Sequence, residues 1–291
     1  MTSDVDVIIP VRNGGKLLHQ AVDSVLCQDG LRVRAIIVDD GSTDGSPQKL
    51  PRDPRIELLV GPARGIPAAL NVALAECRAP YIARQDADDE SLPGRLAAEV
   101  AFLDANEGIG LVATAFETVV GTKTIATTHT QPTRMLDKNP ICAGSTVMRR
   151  DLLDQVGGYR PVFRFSSDYD MWLRCATVAG VAILPIVGYR YRLSADMTTV
   201  RHASQQRGYA ELARASARAR MANAPDPADD NPPVPADPHA DVAVAEWWAR
   251  EFAGLRSWPD VVTCLRRLPP RRAARVLGHV LRGASTQVAW T

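Results

Sequence analysis

The segment Ala35-Ile36-Ile37-Val38-Asp39-Asp40-Gly41-Ser42-Thr43-Asp44 joins an apolar run to a polar loop that begins with two carboxylates. The same order recurs downstream, where Tyr81-Ile82-Ala83-Arg84-Gln85 precedes Asp86-Ala87-Asp88-Asp89. The residues that precede the carboxylates in the two segments, 35–38 and 81–85, are typical of buried strands. Parallel sheets bind ligands just beyond the carboxyl ends of their strands. Carboxylates gathered there repel one another unless a cation or a ligand hydroxyl neutralises them. Together the two segments predict an α/β fold and favour a site for a metal-held nucleoside diphosphate.

Either acidic cluster taken alone has a second interpretation. Residues 39–44 could form a turn, and Asp88 or Asp89 could cap the helix that follows. Asp is common in both roles, so a single cluster leaves the two interpretations open. The presence of both clusters, in this order, favours the nucleotide site.

The rest of the first half alternates the signals of strands and helices. Apolar runs at 5–11, 34–38, 56–60, 81–85 and 110–116 predict strands, and helical spacing of apolar residues follows at 17–28, 66–76 and 92–103. This alternation predicts a mostly parallel, Rossmann-like sheet flanked by helices on both faces. Beyond residue 117 the pattern predicts a smaller antiparallel portion, with a hairpin at 118–128, a strand at 142–148 and edge strands at 181–184 and 188–193. Helices are predicted there at 168–178 and 201–223.

The composition excludes several classes of protein. The chain has 291 residues, 46% of them hydrophobic, which is enough for one large α/β domain with a core. The net charge of +1 gives no indication of a nucleic-acid partner. The five cysteines are scattered without a C-x-x-C spacing, and the N-terminus has no signal-peptide pattern. No uncharged run reaches the ~20 residues of a membrane span, so we expect a cytoplasmic protein with reduced thiols.

Two common ways of holding phosphate are missing from the sequence. No G-x-G-x-x-G follows the first predicted strand, and no G-x-x-x-x-G-K-[ST] occurs. A dinucleotide-binding fold and a P-loop NTPase are therefore excluded. A divalent cation on Asp86 and Asp88 is the natural alternative, because Mg²⁺ binds through one or two carboxylates plus substrate phosphates.

Four segments carry a resemblance to a known family. Two lie at the first strands, Val7-Ile8-Ile9-Pro10-Val11-Arg12-Asn13 and 37–44, and the third is Ala83-Arg84-Gln85-Asp86-Ala87-Asp88-Asp89. The fourth combines Gly157-Gly158-Tyr159 with Ser167-Asp168-Tyr169-Asp170-Met171-Trp172-Leu173-Arg174. In this order they resemble the motifs of family 2 glycosyltransferases of the GT-A fold, over roughly residues 4 to 200.

The resemblance implies a role for each matching position. Asp86 would lie near the ribose and the sugar, and Asp88 with Asp86 would hold Mg²⁺ or Mn²⁺. Asp168 would be the general base that takes the proton of the acceptor hydroxyl. The donor-binding residues implied are Pro10, Arg12, Asn13, Asp39 or Asp40, Arg64 and Asp86.

The sequence departs from the family pattern at three places. Ser167-Asp168 stands where the family commonly has Glu-Asp, so the base is kept and a neighbour that shapes the acceptor site is lost. Arg12 occupies a position where an aromatic residue is frequent. The histidine often found soon after the segment 189–194 is missing, and His202 follows some residues later.

Structural alternatives also exist for the second half. Asp168 and Asp170 could simply open a helix, where carboxylates interact favourably with the dipole. Met171 and Trp172 fit a core better than a sugar platform. Arg190, Arg192 and Arg201 could contact the diphosphate, although solvated surface arginines are the favoured interpretation for at least two of them.

The sequence thus predicts an inverting glycosyltransferase that moves a sugar from a nucleoside-diphosphate sugar, with a UDP-sugar favoured, to a glycan, lipid-linked or small-molecule acceptor. One alternative is a sugar nucleotidyltransferase, but Arg12-Asn13-Gly14-Gly15-Lys16 is a poor substitute for the Gly-rich first loop of that class. The other is a non-catalytic nucleotide-sugar-binding protein, which Ser167 leaves open and the retained carboxylates disfavour.

Domain boundaries follow from these motifs. Residues 1–223 are assigned to a GT-A domain, with a nucleotide-binding half at 1–117 and an acceptor-side half at 118–223. Residues 224–241 are rich in Pro and Asp and predict a linker that does not pack. Residues 242–291 predict a basic appendage of two or three helices, with starts at Pro259 and Pro269-Pro270.

Four aromatic residues and one leucine of this appendage have two interpretations. The residues concerned are Trp247, Trp248, Phe252, Leu255 and Trp258, which lie among many arginines. They could contact the inner face of an anionic membrane peripherally. The favoured interpretation is that they pack on the catalytic domain or form a homodimer contact.

Overall fold

The structure, a computed structural model, describes residues 3–234, 237–255 and 257–281. Its first part alternates strands and helices, as the apolar periodicity predicts. The strands are β1 (Val5–Val11), β2 (Val33–Asp39), β3 (Ile56–Val60) and β4 (Tyr81–Arg84). The helices are α1 (Leu17–Leu26), α2 (Ile66–Glu76) and α3 (Arg95–Ala105). The four strands pair in parallel in the order β3-β2-β1-β4.

The second part of the sheet is mixed. Its strands are β5 (Glu90–Ser91), β6 (Ile109–Val120), β7 (Lys123–Thr128), β8 (Thr146–Arg149) and β9 (Gly180–Arg192). Strand β8 lies antiparallel between β4 and β6, and β7 forms the predicted hairpin with β6. The sheet continues in the order β4-β8-β6-β9-β5. This mixed sheet with flanking helices confirms the predicted α/β fold class.

Strand β9 corrects one prediction. The sequence predicts two edge strands over 181–184 and 188–193, but the structure has one continuous strand. It pairs in parallel with β6 along most of its length, and β5 pairs only with Tyr189 and Arg190, so residues 181–184 form an edge as predicted while the end of the strand is covered. Pro185 and Gly188 do not end the strand because the pairing absorbs them as register shifts between Thr114 and Phe116 of β6.

The remaining helices cover both faces of the sheet and the C-terminal side. They are α4 (Arg150–Val156), α5 (Ser167–Val178), α6 (Thr198–Arg201), α7 (Ala203–Met221), α8 (Pro238–Gly254), α9 (Trp258–Leu265) and α10 (Pro270–Leu281). Alternation along β1 separates two cores, since Val7 and Ile9 pack with α1 and α3 while Ile8 packs with α2 and α5. Trp172 and Met171 are fully buried in the second of these, as the core interpretation predicts.

The C-terminal helices share a third core with the acceptor-side half. Trp248 and Phe252 of α8 are buried together with Val120, Leu193 and Val200. This finding agrees with the interpretation that the aromatic residues pack on the catalytic domain. Trp247 and Trp258, by contrast, are 43% and 46% exposed. The boundary at residue 223, which remains a prediction, therefore separates segments that pack against each other.

The described residues of the predicted linker, 224–234 and 237–241, include several that pack, contrary to the prediction that this segment does not. Ala228 is buried in the core that contains α5 and α7. Asp226 forms ion pairs with Arg160 at 2.9 Å and with Arg220 at 2.8 Å. Helix α8 begins at Pro238, inside the predicted linker, and the side chain of Asp237 caps it. The composition could not predict this packing, because a few specific contacts are enough to hold a polar segment in place.

The ends of the appendage are only partly described. Arg256 and residues 282–291, including Arg282, lie outside the described residues. Among the residues that are described, no helix combines the length and the apolar character needed to span a membrane.

Candidate active site

The loops after β1 and β2 are tied together by hydrogen bonds. The Asn13 amide N–H donates to Oγ of Ser42 at 2.9 Å, and Oδ1 of Asn13 accepts from the Thr43 amide at 2.8 Å. Asn13 has a φ of 58°, a left-handed conformation that Asn tolerates better than most residues. The Pro10 end of β1 and the polar loop 40–44 therefore form one edge, on which Arg12 is exposed.

Asp39 and Asp40 have different environments. Asp39 is half-buried, and its two oxygens accept from the Ser42 amide at 2.8 Å and from the Gln48 amide group at 3.1 Å. Burial acts to raise the pKa of Asp39, but these hydrogen bonds outweigh it and lower the pKa. Asp40 is almost fully buried, and its carboxylate accepts from the backbone N–H groups of Arg64 at 3.3 Å and Gly65 at 2.7 Å. Asp39 is thus the accessible carboxylate, while Asp40 fastens the start of α2.

Arg64 is one of the predicted donor-binding residues, and its backbone N–H contributes to this edge through the hydrogen bond to Asp40. Its side chain is exposed at the loop before α2. Ala63, just before it, has a φ of 54°, which turns the chain toward Asp40.

Asp86 is held by a buried arginine. Arg84, at the end of β4, is only 5% exposed, and its guanidinium donates to Oδ1 of Asp86 at 2.9 Å. The Asp86 amide N–H donates to the Tyr189 hydroxyl at 3.2 Å. The Asp86 side chain keeps 25% of its surface exposed. The loop after β4 is therefore held by Arg84 and by Tyr189 of β9, while part of the Asp86 carboxylate stays exposed to solvent.

Asp88 and Asp89 point to different sides of the same loop. Solvent reaches Asp88, yet the surrounding protein and then the charge of Asp86 raise its pKa to about 6. Asp89 is buried, and its Oδ1 accepts from the Arg192 amide at 2.8 Å. Burial, followed by the charges of Asp88 and Asp86, raises the pKa of Asp89 well above its ordinary value. Among the described residues, Oδ2 of Asp89 has no hydrogen-bond partner.

These observations fit a cation on the open side of the loop. The charge of Asp86 contributes to the raised pKa values of Asp88 and Asp89, and Asp86 and Asp88 are both accessible on the open side. In the described part of the chain, no group of three or more His, Cys, Asp or Glu is arranged to hold a metal alone. The donor set suits Mg²⁺ or Mn²⁺, since such ions complete their coordination with water and substrate phosphate.

Asp168 lies in the first turn of α5. Its Oδ2 accepts from the Asn139 amide group at 3.3 Å. Burial raises the pKa of Asp168, while the positive charge of Arg84 and a backbone hydrogen bond from Tyr169 lower it in part. Arg84 and Asp86 therefore act electrostatically on Asp168, which brings the end of β4 and the start of α5 into one site.

Other residues singled out in the second half have structural partners. Asp170 is fully buried between Arg160 and Arg174, which agrees with the interpretation that it opens and supports a helix. Ser167 is buried, and His202 stacks on Phe165 with the ring centroids 4.8 Å apart. The three arginines considered for the diphosphate form ion pairs instead: Arg190 with Glu90 and Glu117, Arg192 with Glu90, and Arg201 with Asp196.

Several residues that organise the site were missed by the sequence analysis. Arg95 is fully buried and donates to the carbonyl oxygens of Arg84 and Thr146, each at 3.1 Å. The Tyr189 hydroxyl supports the Asp86 amide, and Gly144 leaves it room, since a Cβ there would lie 1.8 Å from that oxygen. The charged Arg84 inside an apolar strand was the one available signal, because a buried arginine needs a partner.

The sequence is similar to that of a known protein family. Residues 6–163 match Glycosyl transferase family 2, which is more than half of the chain. EpsE of Bacillus subtilis is 33% identical over 182 residues, an alignment that covers 58% of this chain and 66% of EpsE.

Solved structures share the fold at low sequence identity. TarS of S. aureus, residues 1–349, has a TM-score of 0.60 at 17% identity and covers 94% of this chain and 83% of its own. The TarS complex with UDP-GlcNAc has a TM-score of 0.59 at 17% identity. The mannosyltransferase PcManGT of Pyrobaculum calidifontis, in complex with GDP-Man and Mn²⁺, has a TM-score of 0.58 at 19% identity, covering 98% of this chain and 77% of its own.

These matches define the class of protein. The chain belongs to glycosyltransferase family 2, and the predicted family, fold class and enzyme class are confirmed. The assignment also disfavours the sugar nucleotidyltransferase alternative.

Proposed function

We propose that the protein transfers a sugar from a nucleoside-diphosphate sugar, with a UDP-sugar as the donor, to an acceptor hydroxyl with inversion at the anomeric carbon. The acceptor is a glycan, a lipid-linked sugar or a small molecule. The observation that carries the proposal is the buried Arg84, which binds Asp86 and acts on Asp168. It joins the donor-side loop to the residue proposed as the base.

The donor would bind along the edge formed by β1, β2 and β4. Asp39 is the accessible carboxylate of the first cluster and would accept a hydrogen bond from the base or ribose, with Pro10, Arg12, Asn13 and Arg64 nearby. Strands β2 and β4 flank β1, so the loops that follow them lie about 10 Å apart, within reach of one nucleotide. TarS was crystallised with UDP and UDP-GlcNAc, and PcManGT with GDP-Man, which supports a nucleotide sugar at this edge.

Asp86 and Asp88 would hold Mg²⁺ or Mn²⁺ together with the diphosphate. When bound, the ion neutralises the charge of the leaving nucleoside diphosphate. The Mn²⁺ in the PcManGT complex supports this role.

Asp168 would act on the acceptor. As the acceptor oxygen forms its bond to the anomeric carbon and the bond to the diphosphate breaks, Asp168 takes the hydroxyl proton. Its raised pKa makes it a better proton acceptor than an ordinary aspartate, and the positive charge of Arg84 limits that rise.

Release of nucleoside diphosphate tests the proposal. The full-length protein is incubated with a panel of UDP- and GDP-sugars, with Mn²⁺ or Mg²⁺ or with chelator. We expect metal-dependent release of UDP from one donor sugar, lost in Asp88→Asn. Release that is unaffected by chelator would contradict the metal role, and binding without turnover for any donor would favour the non-catalytic alternative.

A further inference from the structure

The proposed base, Asp168, has one side-chain hydrogen bond in the part of the chain that the structure describes. Nδ2 of Asn139 donates to Oδ2 of Asp168 at 3.3 Å. Asn139 lies on the segment between β7 and β8, 29 residues before Asp168 in the sequence. The orientation of this carboxylate therefore depends on that segment as well as on α5.

The hydrogen bonds of Asn139 determine which end of its amide group faces Asp168. Oδ1 of Asn139 accepts from the Ile141 backbone N–H at 3.1 Å. A backbone N–H only donates, so the amide oxygen must lie on this side. The NH₂ group must then face Asp168, because an ionised carboxylate only accepts. Turning the amide over would set donor against donor and acceptor against acceptor, so two separate contacts support the assignment.

The backbone around Asn139 is also restrained. Pro140 follows Asn139, and a residue before proline is biased toward extended backbone. The Pro140 carbonyl oxygen accepts from Oγ1 of Thr130 at 2.6 Å. Pro140 and Ile141 are buried, although Asn139 itself is exposed. The Asn139 side chain is thus held in place by the protein before any ligand binds.

A second contact joins the same segment to α5. The hydroxyl of Tyr169, the residue after Asp168, donates to the backbone carbonyl oxygen of Met135. Tyr169 and Met135 are both buried. The segment and the first turn of α5 therefore form one unit, in which two contacts set the position of Asn139 relative to Asp168.

A neutral donor suits a carboxylate that has to accept a proton. A cation in the place of Asn139 would favour the ionised form strongly and make the carboxylate a weaker base, whereas an amide N–H does so much less. Asp168 keeps part of its surface exposed, so an acceptor can approach it. With Oδ2 occupied by Asn139, Oδ1 is the oxygen that remains for the proton.

We propose that Asn139 is a positioning residue for the transfer reaction, in which its amide holds Oδ2 of Asp168 and directs Oδ1 toward the acceptor hydroxyl. This inference rests on the proposed function, since it requires that Asp168 is the base. Asn139 acts through Asp168 and contacts neither the donor nor the reacting bonds. Loss of its N–H donor should therefore slow the transfer step and leave donor binding unchanged.

An isosteric substitution separates this role from a purely structural one. Asn139→Asp keeps the size of the side chain and the oxygen that accepts from Ile141, but an acceptor replaces the NH₂ group that faces Asp168. Asn139→Ala removes both contacts. If Asn139 only shapes its segment, Asn139→Asp should behave as the wild type while Asn139→Ala is impaired. If Asn139 positions the base, Asn139→Asp should lose at least as much activity as Asn139→Ala.

Steady-state release of UDP from a panel of UDP-sugars with Mn²⁺, measured on the full-length protein, decides between these outcomes. Release needs an attacking hydroxyl, from an acceptor or from water, so it reports the step that Asp168 assists. We expect kcat to fall by about tenfold or more in Asn139→Asp, with the donor KM and the UDP affinity within about twofold of the wild type. Lys138→Ala, at an exposed neighbouring position, is the control and should keep the wild-type kcat. An unchanged kcat in Asn139→Asp would overturn the proposal.

Asp168→Asn, assayed beside these variants, distinguishes a failure of this inference from a failure of the proposed function. An inactive Asp168→Asn together with a fully active Asn139→Asp would overturn the role of Asn139 and leave the proposed function standing. An Asp168→Asn protein as active as the wild type, or a wild type that releases UDP from no donor, would refute the proposed function and the role of Asn139 with it. In the Asp168→Asn background, Asn139→Asp should cause no further loss, because the two residues act as a unit.

Discussion

The first acidic cluster has two residues, Asp39-Asp40, and the second has four, residues 86–89, yet each divides its carboxylates in the same way. In the first cluster Asp40 is buried on the backbone amides of Arg64 and Gly65, and Asp39 stays accessible. In the second, Asp89 is buried on the Arg192 amide, while Asp86 and Asp88 stay open. The last carboxylate of each cluster therefore fastens the loop, and the earlier ones are free for ligands. Adjacent residues of one motif can thus have opposite roles.

The open side of the second cluster should give the largest effect. Asp88→Asn removes a carboxylate from an exposed position, so we expect donor affinity and transfer to fall by about 100-fold or more with little change in stability. Titration with UDP and Mn²⁺, together with thermal unfolding, measures both quantities. An active Asp88→Asn protein would show that the open carboxylates do not hold the metal.

The first cluster offers a matched pair of neighbouring variants. Asp40→Ala leaves two backbone N–H groups without their acceptor and should lower the free energy of unfolding by about 3 kcal/mol. Asp39→Ala should cost less than about 1 kcal/mol but weaken UDP binding. Urea unfolding and calorimetry on the two variants separate these effects. A larger loss of stability in Asp39→Ala than in Asp40→Ala, with UDP binding weakened only in Asp40→Ala, would contradict the roles assigned to the two carboxylates.

A smaller, pH-dependent effect is expected at Asp226, a largely buried carboxylate that belongs to neither cluster. Burial acts to raise the pKa of Asp226, but hydrogen bonding and the charge of Arg160 outweigh it and lower the pKa to about 2. The ionised form is thus favoured in the folded state. Its contribution, about 2 kcal/mol, should be present above the unfolded pKa of ~3.9 and be lost as the pH falls through 2.

Asp226→Asn should accordingly be less stable than the wild type at pH 7, with the difference vanishing near pH 2. Asp229→Asn is the control, because this carboxylate is 76% exposed and should contribute less than about 0.5 kcal/mol. Urea unfolding across this pH range checks both variants. An equal loss in the two would contradict the role assigned to the Asp226 contacts.

The two acidic clusters also show which features of the fold and the site could be predicted from the sequence. Strands β1, β2 and β4 are apolar at nearly every buried position, so their places in the sequence and the edge that carries Asp39 and Asp86 followed from the local pattern. Which carboxylate of each cluster is buried did not follow from the local pattern, because the hydrogen-bond partners of Asp40 and Asp89 lie 25 and 103 residues away in the sequence. Which of two adjacent carboxylates is buried depends on such distant contacts.

The same limit explains the errors at the C-terminal side. Polar composition predicted that 224–241 would not pack, but Ala228 and Asp226 find partners on α5, α7 and Arg160. Strand β9 was divided at Pro185 and Gly188 because these residues usually end strands, whereas the long pairing with β6 holds the chain extended through them. In each case tertiary contacts override a local signal.

Titration of UDP into the wild type, Asp88→Asn and Asp168→Asn, with transfer measured on the same samples, tests the central claim that donor-side and acceptor-side carboxylates are separate. A base acts in the transition state rather than in donor binding, so Asp168→Asn should keep its UDP affinity within about twofold. Its transfer rate should fall by about 100-fold or more, while Asp88→Asn loses both. Loss of UDP binding in Asp168→Asn, with binding retained in Asp88→Asn, would contradict the account.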